Sequence, residues 1–172
     1  EGADRILTAY PPGLSTKAQL QLERLGVTTW VGRMVTNVDA EGVSLGEERI
    51  SAKTVVWAAG VAASPLARSL DGPLDRAGRV KVEPDLSVPG HPEIFVIGDL
   101  ASLEGVPGIA PAAKQMGRLT ARNIRRLLES KKTLPFRYRD WGQLATIGRN
   151  SAVAVMGKLK LSGYIAWLMW LL

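Results

Sequence analysis

The sequence contains no cysteine and a single histidine. The first absence excludes disulfides, thiolate catalysis and cysteine-based zinc or iron–sulfur sites within this chain. The second leaves too few ligands for a zinc site. His91 itself stands in the turn-rich stretch PGHPE, where a solvent-facing loop residue is the simplest reading. No two glycines are two positions apart, so the GxGxxG fingerprint is missing, and no Walker-type loop is present either. Tight phosphate cradling therefore has no local motif here. The closing apolar stretch, Leu161 to Leu172, is twelve residues long and includes a Ser and a Gly, whereas a membrane-spanning helix takes about 20 apolar residues. The chain opens on EGADRIL, without Met or a targeting segment, and closes on YIAWLMWLL, apolar to its last residue. It reads as an excerpt from a longer protein.

What is present is a globular composition. Apolar residues make up 46% and charged residues 22% of 172 residues, which argues against disorder and suffices for one well-cored domain or pieces of two. The net charge of +6 is unevenly placed. Nine basic residues fall between Lys114 and Asp140, opposed only by Glu129 and Asp140. Such a block suits an anionic partner, or simply a solvated helix face; both readings stay open. Nucleic acid is disfavoured, because no aromatic residue is interleaved with the charges of 114–132 for base stacking.

The pattern along the chain is that of an α/β protein. STKAQLQLERL (15–25) reads as a helix capped by Ser15 and ended by Gly26. VTTWV (27–31) and TVVWAAG (54–60) read as strands, with alternating short strands between them. Strand, crossover and strand imply a parallel sheet, the intervening meander serving as the crossover. Ser64-Pro65 opens a short helix by cap and first-turn proline. RVKV (79–82) is a short strand, and EIFVIGD (93–99) is a buried strand that ends on an acid. A helix from about Ala112 to Ser130 follows, with Ala113, Met116 or Gly117, Thr120 or Ala121, Ile124 and Leu127 or Leu128 on its apolar side. Lys114, Arg118, Arg122 and Arg126 lie on the other side. From Leu134 the chain reads as short strands and turns that enter the apolar tail. There Tyr164, Trp167 and Trp170 suit a membrane interface, with Lys158 and Lys160 placed to meet lipid phosphates.

Small residues at the ends of apolar strands, Ala58-Ala59-Gly60 and Gly98-Asp99, point to a ligand edge of a parallel sheet. Small side chains let a ligand approach the backbone, and Asp99 can accept hydrogen bonds from sugar-like hydroxyls. In this order TVVWAAGV, GRVKVEPDLSVPGHPEIFVIGD and PGIAPAAKQMGRLTARNI resemble the second half of a type II NADH dehydrogenase. That family comprises single-chain, non-proton-pumping, FAD-dependent NADH:quinone oxidoreductases within the pyridine nucleotide-disulfide oxidoreductase superfamily. FRYRDWGQLATIGR and the apolar tail narrow the match.

The resemblance implies the remainder of a two-dinucleotide-binding-domain, Rossmann-like flavoprotein. Residues 1–70 would be the second half of its NADH-binding domain, 71–132 the return segment of its FAD-binding domain, and 133–172 a membrane-associated region. It further implies that Glu1 accepts from the adenine ribose of NADH and that Ala59 and Gly60 lie along the nicotinamide. Gly98 and Asp99 would hold the ribityl chain of FAD. Ala110, Pro111 and Ala112 would aim a helix N-terminus at the flavin, an electrostatic aid on the order of 1 kcal/mol. Ile109, Ala113 and Gln115 would border the quinone site. Many members carry an Ala-Gln pair where this chain has Ala110-Pro111, so only Gln115 remains to offer an amide there. The implied partners are a membrane quinone and an anionic lipid surface, with a homodimer as a further expectation, at the cytoplasmic face of the inner membrane. The excerpt alone is expected to be inactive, since both phosphate-cradling loops are missing. Competing expectations are another reductase of the same fold, or a basic membrane-surface module without catalysis.

Overall fold

In the computed structural model, which describes residues 1–171, α-helices separate groups of short strands along the chain. Helix α1 (Pro12–Arg24) precedes strands β1 (Asn37–Asp39), β2 (Gly42–Leu45) and β3 (Glu48–Ser51). Strands β4 (Val80–Lys81), β5 (Ser87–Val88), β6 (His91–Phe95) and β7 (Ala101–Ser102) lead to the long helix α2 (Ala110–Leu128). Strands β8 (Gln143–Gly148), β9 (Ser151–Met156) and β10 (Leu159–Gly163) lead to α3 (Tyr164–Leu171). Short 3-10 turns occupy Pro65–Ser69 and Gly98–Leu100. The chain divides into two compact units, Glu1–Ala58 with Trp141–Leu172, and Ala59–Asp140.

In the first unit β8, β9 and β10 form an antiparallel sheet in the order β10-β9-β8. The segment SAVAVM explains why it is covered twice. At period two, Val153 and Val155 face one way, and with Ala145 and Ile147 they pack against Tyr10, Leu14 and Ala18 of the α1 region. Ala152 and Ala154 face the other way, where their small side chains let Ala166 of α3 approach the sheet. Helix α1 starts on prolines rather than on the expected serine cap. Its N-cap is Pro11, and the buried Ser15 hydroxyl instead donates to the Leu7 carbonyl at 3.2 Å. Gly26, at φ +81°, terminates it as the sequence suggests.

The meander between residues 37 and 51 is present as the antiparallel order β1-β2-β3. Gly42 is obligatory there: at φ +148° its position would drive a Cβ into the Ile50 carbonyl. The flanking segments 27–31 and 54–60 form no strand and have no ladder partner among the described residues. The only parallel pairing among the described strands is the two-residue register of β4 with β7. The physical reason is that parallel strands recruit neighbours from distant sequence, and a strand without neighbours leaves its backbone to water.

In the second unit the core gathers Ala67, Val80, Val82, Leu86, Val88, Val96, Ala101 and Met116. Ser64 caps the Pro65–Ser69 turn, its hydroxyl accepting from the Leu66 N–H at 3.3 Å, as the Ser-Pro pair predicts. Helix α2 is amphipathic, but its buried face consists of Ala112, Met116, Thr120 and Asn123. Ile124, Leu127 and Leu128 are exposed, so the face is rotated from the apolar stripe expected near its C-terminus. Asn123 wins that position because its amide is fully used: Nδ2 donates to the carbonyls of Asp85 (3.2 Å) and Leu134 (2.9 Å), and Oδ1 accepts from the Leu134 N–H (2.8 Å).

Candidate functional site

The residues EIFVIGD bring an acid to the start of α2. Strand β6 ends at Phe95; Val96 is still buried and donates its N–H to the Leu86 carbonyl at 3.0 Å. Ile97 turns outward, so the stretch is half-buried rather than wholly buried. Gly98 then adopts φ +66°, a left-handed conformation that a side chain would strain. Its N–H donates to Met116 Sδ at 3.4 Å, and a Cβ on Gly98 would stand 3.6 Å from the Ala113 Cβ. The 3-10 turn is thereby held against the first turns of α2. Gly98, Ile109, Ala112, Ala113 and Met116 help enclose about 10 Å³, room for about one water molecule.

Asp99 is exposed, and its carboxylate makes no hydrogen bond or ion pair among the described residues. It does not cap the turn either, whose N-cap is Ile97. A strand-end acid with neither a capping nor a pairing role is available to a ligand. Beside it, α2 begins at the N-cap Ile109 without a side-chain cap, and Pro111 lies in its first turn. The N–H groups of Ala112 and Ala113 both turn to the Ile109 carbonyl, at 3.0 and 3.1 Å. Pro111 has no N–H to give. This helix end therefore offers the field of its dipole rather than a fan of free donors, which suits a polarisable ring better than a phosphate.

The structure brings Gly98, Asp99, Ile109, Ala110, Pro111, Ala112 and Ala113 together. Gln115 is close by in sequence, but its amide is spent on the chain itself: Nε2 donates to the Arg139 carbonyl and Oε1 accepts from the Arg139 N–H, both at 3.0 Å. Ala59 and Gly60 belong to the same unit and lie on an exposed stretch outside any strand, with Gly60 at φ +100° and open space where a Cβ would be. Glu1 belongs to the other unit; its Oε1 accepts from the Ala3 N–H at 3.0 Å.

Two carboxylates of the second unit, Asp85 and Asp75, are committed to structure. Burial works to raise the pKa of Asp85, but hydrogen bonds from Ser87 and Thr133 outweigh it and hold the carboxyl below its usual range. A recess of about 360 Å³ between Glu83, Asp85 and Thr133 has only carboxylates for charge and does not suit an anionic cofactor. Asp75 is pulled down to about 2, chiefly by the backbone N–H of Arg79 and further by its side chain. Sequence reasoning finds neither the Gln115–Arg139 pairing nor the Gly98–Met116 contact, because both join positions with no shared periodicity.

The chain matches the family of pyridine nucleotide-disulphide oxidoreductases over residues 1–117. It is 45% identical over 185 residues to the type II NADH:quinone oxidoreductase NdhA of Mycobacterium tuberculosis, covering 99% of this chain and 39% of that protein. The type II NADH:quinone oxidoreductase Ndh of the same organism is 43% identical, covering 99% of this chain and 40% of the relative. The chain thus spans about two-fifths of the length of these relatives. Among solved structures, that of NDH2 from Plasmodium falciparum in complex with NADH superposes with a TM-score of 0.85 at 16% identity. It covers 98% of this chain and 52% of that one, a likeness of fold.

Proposed function

Because the chain belongs to the pyridine nucleotide-disulphide oxidoreductase family, we propose that it forms part of a flavoprotein that passes a hydride from NADH to FAD and electrons on to a membrane quinone, without pumping protons. The observation that carries this reading is the 45% identity, over 99% of the chain, to a type II NADH:quinone oxidoreductase. The fold alone is compatible with many reductases.

Gly98 and Asp99 fit a flavin: the glycine removes a side chain from the approach, and the free carboxylate accepts from ribityl hydroxyls. Ala110, Pro111 and Ala112 place the positive end of the α2 dipole toward the ring. FAD, when bound, supplies the two-electron redox chemistry; the residues of this chain orient and polarise. Ala59 and Gly60 leave room along the nicotinamide, and Glu1 accepts from the adenine ribose. Ile109 and Ala113 border the quinone. With its amide paired to Arg139, Gln115 contributes to that border by holding 137–140 in place rather than by donating to the quinone. In domain terms residues 1–70 serve NADH, 71–132 serve FAD and 133–172 meet the membrane. No helix among the described residues is long and apolar enough to cross a bilayer. In this reading the membrane contact is peripheral, at the cytoplasmic face of the inner membrane, on an anionic lipid surface. A homodimer is part of the same reading, and nucleic acid is not.

The test is made on the full-length protein, by measuring FAD content and NADH oxidation with a water-soluble quinone. Asp99→Ala is expected to lose flavin while the apoprotein stays folded; unchanged FAD content would remove Asp99 from the site. The 172 residues expressed alone are expected to show neither stoichiometric FAD nor NADH oxidation.

A further inference from the structure

The first unit carries a further recess, none of whose lining residues belongs to the candidate cofactor site. About 370 Å³ of open space is lined by Thr146, Ile147, Gly148, Arg149, Trp167 and Trp170. The fold places these residues together for a simple reason. The β8–β9 hairpin turns at Arg149-Asn150, where Asn150 takes φ +65°, and β10 delivers α3 to the same end of the sheet because β10 runs antiparallel to β9. Ala166 seats α3 on Ala152 and Ala154, which aligns Trp167 with the hairpin tip. Tyr164 stacks on Trp167, ring centroids 5.8 Å apart, and stiffens that wall. Gly148 lets the Leu25 side chain pass close to the hairpin, since a Cβ there would stand 2.8 Å from it.

Arg149 is exposed, and its guanidinium has no ion pair or hydrogen bond among the described residues. An unpaired guanidinium that shares a recess with two indoles selects a ligand with an anionic oxygen head and an apolar or amphipathic body. The surroundings decide what kind. Ile165, Leu168, Trp170 and Leu171 on α3 are all exposed, as are Leu25 and Val27 in the same unit. A hydrated phosphate ligand such as a nucleotide would leave these side chains in water, whereas an acyl-chain boundary covers them. We propose that Arg149, Trp167 and Trp170 form a headgroup site for an anionic phospholipid, the phosphate on Arg149 and the glycerol and upper acyl region against the indoles. The site rests on the membrane placement proposed above and gives it a specific contact.

The experiment is vesicle co-sedimentation of the full-length protein, with phosphatidylcholine vesicles compared with phosphatidylcholine–phosphatidylglycerol vesicles. Removing one basic residue near an anionic surface weakens binding by about fivefold through charge alone. Arg149→Gln is expected to exceed that, by more than about tenfold, and to abolish most of the preference for phosphatidylglycerol. Lys158→Gln, at the β9–β10 turn, is the control that shows only the general charge effect. Trp170→Ala is expected to weaken binding to both vesicle types. The proposal is overturned if Arg149→Gln loses no more than Lys158→Gln, if the wild-type protein sediments with neither vesicle, or if millimolar glycerol phosphate displaces it, the last marking a soluble phosphate site. Oxidation of NADH by a water-soluble quinone, read in the same preparations, keeps the two readings apart. That activity is expected to survive Arg149→Gln, and its absence in the wild type would sink the enzymatic reading without touching the lipid result.

Discussion

SAVAVM at 151–156 and TVVWAAGV at 54–61 are both short, mostly apolar segments with opposite fates. In the first, Ala152 and Val153 are completely buried, one on each face of a three-stranded sheet. In the second, Val56 is 82% exposed, Trp57 65% and Val61 87%, and no ladder holds them. The difference lies in where partners come from. Strand β9 finds both neighbours across tight turns, at a small entropic cost of closure. The segment 54–61 has the character of a central parallel strand, whose neighbours must arrive from far along a chain. Apolar content makes a strand willing; adjacency decides whether it is built.

The comparison can be broken most sharply by a charge. Val153→Asp buries an unpaired carboxylate and is expected to cost more than about 4 kcal/mol in chemical denaturation of the 172-residue chain. Val56→Asp in the same chain is expected to stay within about 0.5 kcal/mol. If Val56→Asp were as damaging as Val153→Asp, the segment would be covered in solution and the contrast would vanish. A third mode of holding an extended segment is tested next. Residues 131–136 join no ladder among the described residues; Asn123 binds Leu134 in place of a neighbouring strand. Asn123→Ala strands three backbone groups and is expected to lower stability by about 2–3 kcal/mol, read from urea midpoints. Ala154→Leu then sharpens the account of β9. Overpacking beneath Ala166 is expected to cost about 1–3 kcal/mol, and a neutral result would mean that α3 is not seated on the sheet.

The smallest expected effect is on acid stability. The folded Asp75 carboxyl titrates at about 2, below its ordinary value of 3.8. Its contribution is therefore fully present above pH 3.8 and is lost as pH falls through about 2. Asp75→Asn should flatten that part of the unfolding profile and leave the neutral limb nearly unchanged. An unaltered acid limb would show that the Arg79 contacts do not hold this carboxyl in solution.

Much of this was legible in the residues. Ser64-Pro65, Gly26 and the turn glycines of the meander announce their elements by chemistry confined to a few positions. The short strands after Leu134 were visible for the same reason. What escaped was decided by partners. Ser15 has the right chemistry for a cap, but Pro12 starts the helix a turn earlier and the hydroxyl finds Leu7 instead. The α2 stripe drifted from Ile124 to Asn123 because a saturated amide in the interior outweighs an aliphatic side chain with nothing to cover it. In the candidate site, the grouping of Gly98-Asp99 with the start of α2 came with the family resemblance, not from spacing alone. That Gln115 would spend its amide on Arg139 could not be read, since no repeat links those positions.

Gln115 and Asn123 together amount to a ruler. Each presents one donor and one acceptor to the backbone of a single residue, Arg139 and Leu134 respectively. They stand eight positions apart on a rigid helix, a separation of about 12 Å. The stretch between Leu134 and Arg139 looks like a tolerant surface loop, yet its length is measured at both ends. One residue inserted or removed there must break a pairing.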